Sequence, residues 1–158
     1  MYIMKILKFI TIVILSFFYI GVGVKHFMDP GFFFPIVPDY IKTIKYTVVF
    51  VSGFFEVLFG LMLLLPKYRF YAGWGLVLLL ISVFPANYYL YESPLALKEF
   101  NELLGGSSNK IDALIRMFFQ IPLILLAYWH TTKRYNDTYS FFCIIIAIPT
   151  IIYFIYIL

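Results

Sequence analysis

A chain of 158 residues that is 63% hydrophobic and 22% aromatic, with 13% charged residues and a mean hydropathy of +0.95, lies outside the range of soluble globular domains and reads as an integral membrane protein. Its net charge of +4 is spread over short segments between apolar runs, so it carries topology information; a lipid bilayer is the expected partner and nucleic acid is not. A single cysteine, Cys143, and two histidines exclude a disulfide relay and a four-ligand zinc site within the chain, so no metal is expected.

The first apolar run, from about Lys8 to Phe27, is longer than the apolar part of a signal peptide and no small-x-small cleavage pattern follows it, which predicts a retained transmembrane helix. Tyr19, Gly23 and His26 recur at i, i+4, i+7 and share a face, with His26 near the membrane boundary. Residues 28–40 hold three prolines and a cluster of aromatics, a composition that breaks a helix and suits the headgroup region.

A second run from about Tyr46 to Pro66 is long enough to cross a ~30 Å hydrocarbon layer and carries one carboxylate, Glu56, near its middle. Such a group costs on the order of 3 kcal/mol unless it faces other helices or water. Ser52, Gly53 and Gly60 share its side and would let a second helix approach closely, so Glu56 is expected to point into a bundle. A tight basic turn, Lys67 to Arg69, leads to a third run, Phe70 to about Tyr91, where Pro85 frees the carbonyl of Ile81 and Asn87 is placed to bond across helices.

Glu92 to Lys110 is the extended polar region. Ser93 can cap, Pro94 suits the first helical position, Ala96, Leu97, Phe100, Leu103 and Leu104 recur with helical spacing, and Gly105 can terminate; these predict a short amphipathic helix on the membrane surface. Gly106, Ser107 and Ser108 follow as a hinge. The fourth run, about Asp112 to Trp129, sets Asp112, Arg116 and Gln120 on one side at i, i+4, i+8, and Pro122 releases the carbonyl of Phe118. A polar turn from Thr131 to Thr138 leads to a fifth apolar run, Tyr139 to Leu158.

The expected fold is therefore all-α: a transmembrane four-helix bundle over residues 1–130, with a surface helix between helices three and four, and residues 131–158 adding a polar turn and a fifth C-terminal transmembrane helix. Lys5, Lys8, Lys67, Arg69, Lys133 and Arg134 lie in short segments on one side, which puts the N-terminus in the cytoplasm. Lys25, Lys42, Lys45, Lys98 and Lys110 lie on the other.

Counting from the outer helix ends at ~1.5 Å per residue puts Glu56 roughly 15 Å deep, Gln120 about 10 Å and Arg116 about 5 Å, with His26 and Asn87 near the boundary. Arg116 or Gln120 is then the expected partner of Glu56, and the polar groups of four helices would form a pocket in the outer half of the bundle. Each also has a plain reading. Glu56 could make a purely structural interhelical pair, Arg116 could pair with Asp112, His26 could sit at the interface, and Asn87 and Gln120 could tie helices together. Cys143 reads as a small apolar filler.

His26-Phe27 with Pro30, Ile36-Val37-Pro38 with Tyr40, Ser52-Gly53 with Glu56 and Gly60, Phe84-Pro85-Ala86-Asn87, and Arg116 with Gln120 and Trp129 together resemble the DoxX-like family of small integral membrane proteins. The resemblance runs from the end of the first helix to the end of the fourth. It departs from the family in lacking a proline between Arg116 and Gln120 and in adding the fifth run. It implies a four-helix membrane bundle; some members are similar to the small subunit of a thiosulfate:quinone oxidoreductase, and others are associated with membrane redox complexes.

Two functions of different class follow. In one, the chain is a redox-linked subunit of a bacterial-type plasma membrane whose pocket binds a quinone, with Glu56 and Arg116 handling its protons and carbonyl oxygens. The chain carries no evident haem, flavin or iron–sulfur ligation set and no covalently bound cofactor, so electrons would come from a redox partner protein. In the other, it is a non-catalytic scaffold or assembly factor for a membrane partner. Transport of a small solute is a third. Whether it is an enzyme, and its oligomeric state, are not set by the sequence.

Overall fold

The computed structural model describes residues 2–105, 109–132 and 137–157, with side chains at 3–105, 109–132 and 138–153. It is all-helical: α1 (Tyr2–Met28), 3-10 turns at Pro30–Ile36 and Asp39–Ile44, α2 (Lys45–Leu64), α3 (Arg69–Glu92), α4 (Pro94–Leu104), α5 (Lys110–Thr131) and α6 (Asp137–Ile157). Four helical stretches, at residues 3–28, 39–64, 69–92 and 110–131, are long and apolar enough to cross a membrane, as an integral membrane protein requires. The apolar stretch described in α6, Thr138–Tyr153, is shorter. The hinge Gly106 to Ser108 and the basic pair Lys133 and Arg134 lie outside the described residues.

The helix ends follow from local chemistry. α2 stops before Pro66, and the Arg69 side chain donates from Nε to the carbonyl of Leu63 at 2.9 Å, putting a cation on the negative end of the helix. At α4 the Ser93 hydroxyl accepts from the backbone N–H of Ala96, and Gly105 closes the helix in the left-handed region at φ 61°, where a side chain would be strained. α5 starts two residues earlier than the apolar pattern suggests, because Asn109 and Asp112 form a reciprocal capping box. That box occupies Asp112: one of its carboxylate oxygens accepts from the Asn109 N–H at 2.7 Å.

Helix α1 packs along α2 and α3 along α5; α2 also meets α3, and α6 touches both α5 and α1. One core, with Leu15, Leu63, Leu76, Leu126, Trp129 and Cys143, draws on α1, α2, α3, α5 and α6. Large side chains face outward over most of the helical surface, Phe17 at 65% and Phe118 at 58% exposure among them, which suits lipid and would not suit water.

A second core adds protein packing to the reading of the aromatic segment. Phe32, Phe33 and Val37 are buried together with Leu90, Phe100 and Ala113, and the Phe32 and Phe100 rings lie 5.5 Å apart. The prolines that forbid an α-helix allow a compact 3-10 coil, which packs these rings against α4. The amphipathic α4 accordingly turns Ala96 and Phe100 onto protein, while Leu103 stays half exposed.

The α1–α2 contact is made by glycines. A Cβ on Gly53 would lie 2.5 Å from the Cβ of His26 and 3.0 Å from the Gly23 carbonyl oxygen; one on Gly60 would lie 3.0 Å from the Ser16 carbonyl oxygen. By contrast, a Cβ on Gly21 meets nothing within 4 Å. Alanine normally favours a helix over glycine by about 1 kcal/mol, so the sign of the change reports the contact. Gly53→Ala and Gly60→Ala should each destabilise by about 1–3 kcal/mol through overpacking. Gly21→Ala should be neutral or stabilising, with unfolding followed by circular dichroism in detergent.

Candidate functional site

The direction in which helical side chains lean decides which polar groups meet. Every side chain tilts toward the N-terminus of its own helix. α1 and α2 are antiparallel neighbours, so His26, near the end of α1, and Glu56, in the middle of α2, lean toward each other. The Nδ1 of His26 lies 3.2 Å from Oε2 of Glu56. Because Arg116 sits on α5, which starts at the α4 end, it leans toward that end, and its guanidinium lies over the Phe100 ring at 5.2 Å. The expectation that Arg116 or Gln120 partners Glu56 is therefore corrected to His26; depth counted along Cα positions alone left out the lean.

His26 is held on three sides. Its Nδ1 is 2.8 Å from the Val22 carbonyl one turn back, its ring stacks on Phe33 at 3.6 Å between centroids, and its Cβ rests against Gly53. An Nδ1 proton directed at Val22 is not directed at the carboxyl group. Glu56 Oε2 accordingly lies beside the imidazole, buried, with no hydrogen bond. Tyr19, two turns below His26 on the same face, is within electrostatic range of Glu56, and its buried hydroxyl also has no partner. Ser52, on the same side of α2, bonds the Val49 carbonyl of its own helix.

Asn87, Arg116 and Gln120 form a separate, nearly complete chain. Arg116 Nε donates to Asn87 Oδ1 at 3.2 Å, Asn87 Nδ2 donates to Gln120 Oε1 at 2.9 Å, and Gln120 Nε2 donates to the carbonyl of Leu80. This joins α5 to α3 next to the Pro85 turn, although the carbonyl engaged is that of Leu80, one residue before the Ile81 carbonyl that the proline frees. Arg116 pairs with Asn87, not with Asp112. Its Nη1 is buried without a partner, and the Tyr153 hydroxyl of α6 is within electrostatic range.

The five candidates thus fall into two sets, His26 with Glu56 on α1 and α2, and Asn87, Arg116 and Gln120 on α3 and α5. Tyr19 was legible as a face-mate of His26 but not as a neighbour of Glu56. His130, buried at the other end of α5, carried no signal beyond being the second histidine. Among the described residues, no three His, Cys, Asp or Glu side chains gather as a metal site would require.

The family model described as a domain of unknown function (DUF8561) matches residues 15–131, from within α1 to the last residue of α5, and the chain belongs to that family. Neither the curated proteins nor the solved structures contain a match.

Asn87 is the link between Arg116 and Gln120. Asn87→Ala should strand Arg116 Nε and Gln120 Oε1 in a buried site and lower stability by about 1–3 kcal/mol. Ser82→Ala, which removes only an exposed bond to the Leu78 carbonyl of the same helix, should change it far less. Parallel thermal unfolding of the two variants measures the difference.

Proposed function

We propose that the chain is a four-helix transmembrane bundle, with α6 as a fifth crossing, that binds a lipid-soluble carbonyl compound of the quinone class and works with a redox partner protein. In this reading the N-terminus faces the cytoplasm of a bacterial-type plasma membrane and the α4 end faces outward. The observation that carries the reading is a group of buried polar atoms that make no hydrogen bond: Tyr19 Oη on α1 and Glu56 Oε2 on α2, within electrostatic range of each other, and Arg116 Nη1 of the separate α3–α5 chain.

Leaving such groups unsatisfied costs about 1–3 kcal/mol each, more for charged ones, so each of them invites a molecule that completes it. A quinone suits this set chemically. Its body is a flat apolar ring, and its two carbonyl oxygens accept hydrogen bonds from donors at opposite edges. The Tyr19 hydroxyl and the Arg116 guanidinium are donors; a carboxyl at Glu56 donates when it carries a proton and can hand that proton on. Reduction of a quinone takes two electrons and two protons, and the electrons would come from the partner protein. The resemblance to the DoxX-like family, with its redox-associated members, supports the same reading.

A second reading, a non-catalytic scaffold, is favoured by one observation. The Arg116–Asn87–Gln120 chain satisfies most of its own donors and acceptors and needs no ligand to join α3 to α5. Half-exposed Leu95 and Leu103 on α4 would then meet the partner.

Purified wild-type protein, Glu56→Gln and Tyr19→Phe can be extracted with organic solvent and the extracts examined for quinones by mass spectrometry. Wild type should yield a quinone and each variant severalfold less, with unfolding midpoints close to that of wild type. Equal absence of quinone from all three would leave the scaffold reading in its place.

A further inference from the structure

At the end of the molecule opposite α4, α1, the α2–α3 turn, α3 and α5 enclose a cleft of about 1230 Å³. Lys5 and Lys8 of α1, Lys67 of the turn and Arg69 of α3 line it, and Trp74 and Tyr128 stand in its wall. Among the described residues, none of those lining it is acidic. The four cations come from three separate elements, so the fold gathers them at one place beside a wall of aromatic and apolar side chains.

The polar floor is built with some care. Lys8, itself buried, donates to the Thr132 carbonyl at 2.7 Å and lies over the Trp129 ring at 5.1 Å. Thr11 donates its hydroxyl proton to the Lys8 carbonyl at 2.8 Å, so its oxygen is left to accept from His130 Nε2, 3.2 Å away. That fixes the proton of a neutral His130 on Nε2. His130 lines the cleft, is 2% exposed, and its Nδ1 has no partner among the described residues.

We propose that this cleft binds the phosphate of an anionic phospholipid, with the headgroup among Lys5, Lys8, Lys67 and Arg69 and the acyl chains running along the apolar helix surface. Charge complementarity selects a phosphate. The aromatic wall selects the lipid-borne form over inorganic phosphate, because Trp and Tyr favour the layer where headgroup meets hydrocarbon. Basic pockets between transmembrane helices are a recurrent way to hold anionic headgroups. The bare Nδ1 of a neutral His130 is an acceptor, which suits a headgroup that also carries hydroxyls, as phosphatidylglycerol does. This site lies at the opposite end of the molecule from the α4 cap and does not depend on the quinone reading.

The chain's two tryptophans make the site measurable. Trp74 lines the cleft, while Trp129 is buried and donates from Nε1 to the Ser140 hydroxyl at 3.1 Å. Full-length protein is reconstituted in phosphatidylcholine bilayers containing a small fraction of phosphatidylglycerol with brominated acyl chains, which quench nearby tryptophan fluorescence. The reference bilayers contain the same fraction of brominated phosphatidylcholine, and Trp74→Phe assigns the signal. Wild type should show stronger quenching of Trp74 by the anionic lipid. Lys5→Gln combined with Lys67→Gln, both exposed positions, should cut that preference by roughly thirtyfold, on the scale of two basic residues facing an anionic headgroup. Lys98→Gln with Lys110→Gln, which removes equal charge at the other end, should keep it, and excess inorganic phosphate should leave it in place.

Equal quenching by the two lipids in wild type would overturn the proposal. So would an equal loss of preference in both double variants, which would make the effect one of net charge. Abolition of the preference by inorganic phosphate would overturn the lipid assignment and point to a free-phosphate site. Circular dichroism of each variant checks that the helices are retained.

Discussion

The approach of α1 to α2 over Gly23, Gly53 and Gly60 is the contact on which the site depends. In lipid no hydrophobic force presses two apolar helices together, so dispersion between closely fitted surfaces has to do so, and missing side chains at the crossing let backbone meet backbone. The Gly53 position is so close to His26 that their Cβ atoms could not coexist at the present spacing. That proximity carries His26 over α2 and sets its ring between Phe33 and the Glu56 carboxyl group. A wider crossing would leave Glu56 facing hydrocarbon.

The polar groups divide by how well they are satisfied. Between α3 and α5, amide and guanidinium groups satisfy one another except at Arg116 Nη1, and the chain ends on a backbone carbonyl. Around Glu56 the imidazole is within 3.2 Å, yet its nitrogen is nearer to the Val22 carbonyl, and Oε2 and the Tyr19 hydroxyl are left over. A buried network that is incomplete is costlier than an apolar core. The half around Glu56 is thus the one with the most reason to bind something, and the α3–α5 half, open only at Arg116 Nη1, is the one that holds the helices in place.

Much of this fold was legible in the sequence because the determinants are local. Ser93, Pro94 and Gly105 bound α4, Pro66 ends α2, and the long apolar runs are the helices. The pairing of His26 with Glu56 was not legible, because it depends on the tilt of side chains in antiparallel helices, and counting residues from helix ends leaves that tilt out. The burial of Phe32 and Phe33 was hidden for a different reason. Aromatics between prolines suit a headgroup layer, and that Phe32 and Phe33 also pack into a small core depends on Phe100 of α4, which nothing in their own segment announces. The cleft of basic residues was legible as charge but not as a site, since Lys5 and Lys8 are far in the chain from Lys67 and Arg69 and His130 gives no pattern of its own.

The most direct test is the distance between the His26 imidazole nitrogens and the Glu56 carboxyl carbon, measured by solid-state nuclear magnetic resonance on selectively labelled protein in lipid bilayers. The structure predicts a strong dipolar coupling between them, consistent with the 3.2 Å nitrogen-to-oxygen contact. A carboxyl group coupled to the Arg116 guanidinium, with none to His26, would contradict the account and return Glu56 to a structural ion pair between α2 and α5.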